Sequence, residues 1–180
     1  MGRGLCKPNI EICKGDTSLL YFVTGSLGTK EACGIVGKVT EKIKSWVESG
    51  QEIVFTRDTH TEAYSGTQEG RLLPVEHCRK GTWGWELIPE IQEYAKGRRI
   101  FDKGSFGSMD LAGYIRDGEY DGVEMIGLCT DICVVSNALL VKAYAPELPV
   151  WVDSSCCAGV TPESHEAALC TMRMCQVLVK

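Results

Sequence analysis

One stretch constrains the fold more than any other. The run 123–128, apolar but for Glu124, leads into Thr130-Asp131 and then into a helical pattern carrying Val134, Leu139, Leu140 and Ala143. Strand, sharp turn, helix is the layout that sets a side chain at the carboxyl end of a buried parallel strand. Thr130 or Asp131 is placed to cap the new helix, which puts Cys133 in its first turn. There the positive end of the helix dipole favours a thiolate. This is a physical reason to expect chemistry at Cys133. The competing expectation is a small buried hydrophobe, the common state of a cysteine.

The rest of the chain repeats the pattern. An amphipathic helix is expected over about residues 30–48, with Ile35, Val39, Ile43 and Trp46 on one face and Ser49-Gly50 at its end. A strand-type run, 53–56, ends in Arg57-Asp58-Thr59-His60. A long polar loop, 61–82, shows no periodicity, and loops of that length in a domain usually carry function. Helices are expected over 85–94, 110–116 and 163–174, the last opened by Thr161-Pro162. Short strands are expected at 98–101, 149–152 and 176–179. In the first 21 residues, 10–13 could form a strand, but Lys14-Gly15-Asp16 interrupts it, and 18–23 is a second apolar run.

Short apolar strands alternating with helices predict an α/β protein: a mainly parallel central sheet in a three-layer α/β/α, Rossmann-like arrangement. The 180 residues are expected to form a single domain, 1–180, with 1–21 atypical. In such folds ligands sit at the carboxyl ends of the strands. Asp58 and His60, Lys103, Thr130 to Cys133, and Asp153 to Ser155 should therefore share one rim.

Composition narrows the function. A net charge of −5 without a dense Lys/Arg cluster argues against nucleic acid or an anionic membrane as partner. No apolar run approaches the ~20 residues of a membrane span. Residues 1–16 lack a signal-peptide core, which predicts a cytoplasmic protein. The ten cysteines lack C-x-x-C zinc spacing in a chain too long and too regular for a disulfide scaffold, so mostly free thiols are expected. Cys6 and Cys13 could form a redox or metal pair, but plain loop placement is the commoner outcome.

Candidate chemistry gathers in few places. Asp58 and His60, two apart on an extended segment, point to the same side. Glu69 and His77 follow on the loop, and such N/O ligands suit Zn²⁺, Fe²⁺ or Mn²⁺. The alternative is that both histidines are solvated loop residues. Lys103 follows a strand and precedes a glycine-containing turn, where it could pair with a thiolate. Lys80 has the same Lys-Gly pattern but follows no strand. Asp16 is the one acid placed to serve as a base in the N-terminal apolar region. Trp83 and Trp85 either line a pocket or, as is commoner, pack the loop onto the domain.

Taken together, residues 22–28 (FVTGSLG), 56–60 (TRDTH), 73–78 (LPVEHC) with 80–84 (KGTWG), 103–106 (KGSF) and 127–134 (GLCTDICV) resemble the isochorismatase-like cysteine hydrolases, most closely their nicotinamidase-related branch. The resemblance implies an Asp, Lys, Cys triad in which Cys133 attacks an amide carbonyl and Lys103 supports its thiolate. It implies a cis peptide between Leu128 and Cys129, and an oxyanion hole from the N–H groups of Cys129 and Cys133. It implies a divalent metal (Zn, Mn or Fe) on Asp58, His60, Glu69 and His77 that orients a pyridine nitrogen. Phe22 and Phe106 match aromatics that flank the substrate ring. The implied partner is a small-molecule amide such as nicotinamide, and members often form homo-oligomers.

The N-terminus departs from the pattern. Members carry Asp-x-Gln-x-Asp-Phe after the first strand. Counting back from Phe22, the base falls on Thr17, with Leu19 and Tyr21 at the other two positions. Asp16 is one residue out of register, which on a strand turns it to the other face. Three expectations follow: an impaired nicotinamidase, a hydrolase of another small amide or carbamoyl compound, or a homologue that binds without turnover.

Overall fold

The computed structural model describes residues 9–13, by their backbone, and residues 29–180. Asp16, Thr17, the apolar run 18–23 and Phe22 lie outside the described residues, so the expectations placed on them are not addressed by it.

Among the described residues six strands form one sheet: β1 (Asn9–Cys13), β2 (Ile53–Asp58), β3 (Ile100–Lys103), β4 (Val123–Leu128), β5 (Val150–Ala158) and β6 (Leu178–Val179). Their order is β3-β2-β1-β4-β5-β6, and every pairing is parallel. The helices are α1 (Lys30–Glu48), α2 (Gln68–Leu72), α3 (Pro89–Ala95), α4 (Met109–Asp117), α5 (Val135–Tyr144) and α6 (Pro162–Met174). The three-layer α/β/α expectation is met: α1 and α3 cover one face of the sheet, and α4, α5 and α6 the other.

Period-two alternation assigns the side chains. On β2, Ile53 and Phe55 enter the core under α1, while Val54 faces α4 to α6. On β4, Ile126 and Leu128 take the first side, Val123 and Met125 the second. The β4–β5 register shifts between Met125 and Gly127. That irregularity changes the parity of β5, so Val150, Val152 and Cys157 share one core while Cys156 and Ala158 join the other.

Helix α1 follows its sequence closely. Thr29 caps it by accepting a hydrogen bond from the Ala32 N–H, and Gly50 lies beyond its end with a positive φ of 71°. Ala32, Ile35, Val39, Ile43 and Trp46 are buried, each large side chain contributing about 1.5–3 kcal/mol on transfer from water.

Several boundaries differ from the sequence expectation. The 85–94 helix is split: Trp83–Trp85 is a 3₁₀ turn, and the helix begins at Pro89, whose ring suits a first helical turn. The 61–82 segment contains a 3₁₀ turn at Tyr64–Gly66 and helix α2. Both are too short to show hydrophobic periodicity. The strand expected at 98–101 runs from Ile100 to Lys103. The interrupted N-terminal run is a central strand: β1 lies between β2 and β4, with Ile12 level with Phe55 and Ile126, and Cys13 level with Gly127. Strand order reverses at the β1–β4 boundary, the position where open α/β sheets leave a crevice for ligands.

Candidate active site

The chain leaves β4 through a cis peptide between Leu128 and Cys129, where the motif resemblance places one. A π-helical turn, Thr130–Val134, follows and runs into α5. The Cys129 carbonyl accepts from the N–H groups of both Ile132 and Val134. Neither Thr130 nor Asp131 caps this turn, contrary to the sequence expectation. The Thr130 hydroxyl is 2.8 Å from His165 Nδ1, and both Asp131 carboxylate oxygens accept the Val160 N–H at 3.2 Å. Both side chains are thus spent on the corner that leads into α6.

Cys133 is 2% exposed. Lys103 and Asp58 stand level on neighbouring strands and reach it from the same face of the sheet. Lys103 Nζ lies 3.3 Å from Cys133 Sγ and 3.3 Å from the Ser105 carbonyl, and it pairs with the Asp58 carboxylate. The other Asp58 oxygen is 3.9 Å from Cys133 Sγ. Burial pushes the Cys133 thiol well above its ordinary pKa, and the Asp58 charge pushes the same way, while Lys103 pulls it down. Burial thus opposes the thiolate that the helix terminus alone would favour.

A second cluster lies beyond the end of β2. The Nε2 atoms of His60 and His77 are 3.6 and 3.5 Å from Glu69 Oε1. The three candidate ligand atoms lie within 4.8 Å of one another. His77 Nδ1 is 2.8 Å from the Val75 carbonyl, which turns Nε2 inward. The Tyr64 ring packs on both imidazoles, at 4.7 and 5.1 Å, while its hydroxyl donates to the Leu73 carbonyl. His60 donates its N–H to the Cys78 carbonyl and accepts from the Lys80 N–H, so the loop returns to the strand that began it.

The donor set fits a divalent metal. His60 Nε2 is buried without a hydrogen-bond partner, and burial together with neighbouring His77 lowers its pKa, which favours the neutral, ligating imidazole. Asp58, expected as a fourth ligand, is not part of this trio; its carboxylate pairs with Lys103 and lies 3.9 Å from Cys133 Sγ.

The remaining candidates separate. Phe106 is 45% exposed and, with Lys103, Ser136 and Leu140, lines a cavity of about 740 Å³. Lys80 is not at the cysteine; its ammonium is 3.9 Å from Asp102 on the opposite side of β3. Trp85 packs, with the Arg57 guanidinium 3.4 Å above its ring and its indole N–H donating to Thr59. Trp83 is exposed beside His77.

Sequence reasoning did not single out Tyr64, Asn137 or His165. Asn137 carried a usable signal, a lone amide inside the apolar helical run 132–141. His165 carried none, because its partner Thr130 is distant in sequence, and Tyr64 carried none, because its partners His60, Leu73 and His77 lie in a segment without periodicity.

The fold and these residues define a doubly wound, three-layer α/β protein with a buried Cys–Lys–Asp cluster and a His₂Glu cluster at the carboxyl rim of its sheet. The model of the Isochorismatase domain matches residues 20–180, and the chain belongs to the isochorismatase family. An uncharacterized isochorismatase family protein PncA of Bacillus subtilis (strain 168) is 29% identical over 154 residues, covering 78% of this chain and 82% of that protein. The nicotinamidase of Saccharomyces cerevisiae is 27% identical over 171 residues, covering 72% of this chain and 79% of the yeast protein. Pyrazinamidase of Pyrococcus horikoshii in complex with zinc superposes with a TM-score of 0.78 at 24% identity, over 97% of this chain and 98% of that one.

Proposed function

We propose that this protein is a cysteine-dependent amidohydrolase of nicotinamidase type, releasing ammonia from nicotinamide or a closely related heteroaromatic amide. The observation that carries the reading is the Lys103 ammonium 3.3 Å from a buried cysteine sulfur, on the same rim as a His₂Glu cluster. Similarity to the yeast nicotinamidase supports it.

In this reading Cys133 Sγ attacks the amide carbonyl carbon after losing its proton, and Lys103 holds the developing thiolate. The N–H groups of Cys129 and Cys133 stabilise the oxyanion. The C–N bond breaks, the nitrogen takes up a proton and leaves as ammonia, and a thioester remains on Cys133. Water then cleaves the thioester to the acid and restores the thiol. His60, Glu69 and His77 would hold a divalent ion such as zinc, manganese or iron, with Asp58 as the adjacent carboxylate. Such an ion supplies a Lewis-acidic anchor for a ring nitrogen. Phe106 forms one wall for the ring. The protein acts in the cytoplasm as a homo-oligomer.

Proton removal is the weak step, because the family's base position falls on Thr17 and Asp16 is out of register. General-base assistance contributes about 10²–10⁴-fold. The test is ammonia release from nicotinamide with Zn²⁺ or Mn²⁺ supplied and Cys133→Ala as control. Cys133-dependent turnover that falls with Asp16→Asn assigns the base to Asp16. Slow turnover that rises with Thr17→Asp assigns the defect to the N-terminus. No Cys133-dependent turnover in either protein overturns the reading in favour of a different amide or a binding role.

A further inference from the structure

Helix α5 carries one fully buried amide, Asn137, one turn beyond the nucleophile position. Its Oδ1 accepts the Ser108 N–H at 2.8 Å. Its Nδ2 donates to the Cys133 carbonyl at 2.9 Å and to the Phe106 carbonyl at 3.3 Å. A carboxamide offers two donors and an acceptor in one plane, and these three bonds fall on backbone. Two of the partners belong to the loop that joins β3 to α4, and the third to the turn that carries the sulfur. Ser108 in turn caps α4 by accepting the Leu111 N–H at 3.1 Å. The loop also approaches α5 closely at Gly107, where a Cβ would stand 2.5 Å from Leu140 Cδ1.

We propose that Asn137 is a positioning residue that fixes the distance between the Phe106 wall and the Cys133 sulfur, and so sets which flat substrates reach the nucleophile. The inference rests on the proposed role of Cys133 and Phe106. Apolar packing would hold the loop against the helix without specifying its height. Three directional bonds from one rigid side chain do specify it. Lys103 ends β3 just before that loop, and its ammonium donates to the Ser105 carbonyl within it as well as lying 3.3 Å from Cys133 Sγ.

The test does not need turnover. Alkylation of Cys133 is followed by mass spectrometry of its peptide, with iodoacetamide and with an N-benzyl haloacetamide. The ratio of the two rate constants reports the aromatic wall. Variants are Asn137→Ala, the milder Asn137→Ser, and each combined with Phe106→Ala. Melting temperature and circular dichroism establish folding, and the Ser variant decides if the Ala variant does not fold. The expected result is a fall of at least fivefold in the benzyl-to-small ratio for the Asn137 variants. That fall should be absent in the Phe106→Ala background, since the two act through one wall. An unchanged ratio, or independent multiplicative effects of the two substitutions, overturns the proposal. If nicotinamide is a substrate, KM should rise more than kcat falls. If the protein does not hydrolyse nicotinamide, the labelling ratio still decides.

Discussion

The Lys103 ammonium stands 3.3 Å from the Cys133 sulfur, inside a site where both side chains are almost wholly buried. Burial favours the neutral thiol, and Lys103 is the nearby cation that opposes it. Lys103→Met should therefore move formation of the Cys133 thiolate to higher pH. The rate of Cys133 alkylation against pH measures this directly: its rise should begin later in the variant. Ammonia release at neutral pH should fall about 10²-fold or more, the lower end of proton-transfer assistance.

Glu69 bridges His60 and His77, and replacing it should remove metal affinity with little effect on the fold. Added Zn²⁺ should raise the melting temperature of the wild-type protein, because an ion that binds only the native state stabilises it by mass action. Glu69→Gln and His77→Ala should lose most of that rise. Elemental analysis after dialysis should show less bound metal in both.

His60 titrates below the ordinary imidazole range, through burial and the neighbouring His77. A ligand must be unprotonated, so protons compete with the metal only as pH falls through that lowered value. Metal retention at this histidine should persist to a more acidic pH than an exposed imidazole would allow. Zn²⁺ release followed with a chromophoric chelator across an acid titration checks it. Release that is already complete near the ordinary histidine range would contradict the assignment.

Gly159 sits where β5 turns toward α6. A Cβ there would meet the His165 backbone nitrogen at 2.8 Å and its Cα at 2.9 Å. The neighbour is helix backbone, which yields poorly, so Gly159→Ala should destabilise by about 1–3 kcal/mol. Urea unfolding should show the lower midpoint. The displaced His165 would also disturb Thr130, so Cys133 alkylation should change as well.

Thr130 is fully buried, and its hydroxyl meets His165 Nδ1 at 2.8 Å. Thr130→Val keeps the shape and removes the bond. The expected loss is about 1 kcal/mol, with His165 left without this partner. A double-mutant cycle with His165→Ala in chemical denaturation should return a coupling energy of similar size.

The sequence by itself determined the layers and most of the rim segments; Asp153 to Ser155, expected on the rim, lie within β5, where Asp153 pairs with Lys42. Alternation on β2 already puts Asp58 on one side and Arg57 on the other. The helical spacing of Ile35, Val39, Ile43 and Trp46 marks the buried face of α1, and the break after Leu128 marks the turn that carries Cys133. These signals are local, because strand and helix periods are properties of consecutive residues. Tertiary structure alone decided the rest. It set Asn9–Cys13 between β2 and β4 despite the broken apolar pattern that follows it. It turned Asp58 to Lys103, brought Glu69 between two histidines, and spent Thr130 and Asp131 on the α6 corner instead of a cap. It also buried Cys133, which pushes its thiol pKa up, and set Lys103 beside it to oppose that shift. Pairing register and burial depend on groups far apart in the chain, and neither has a period that the sequence can display.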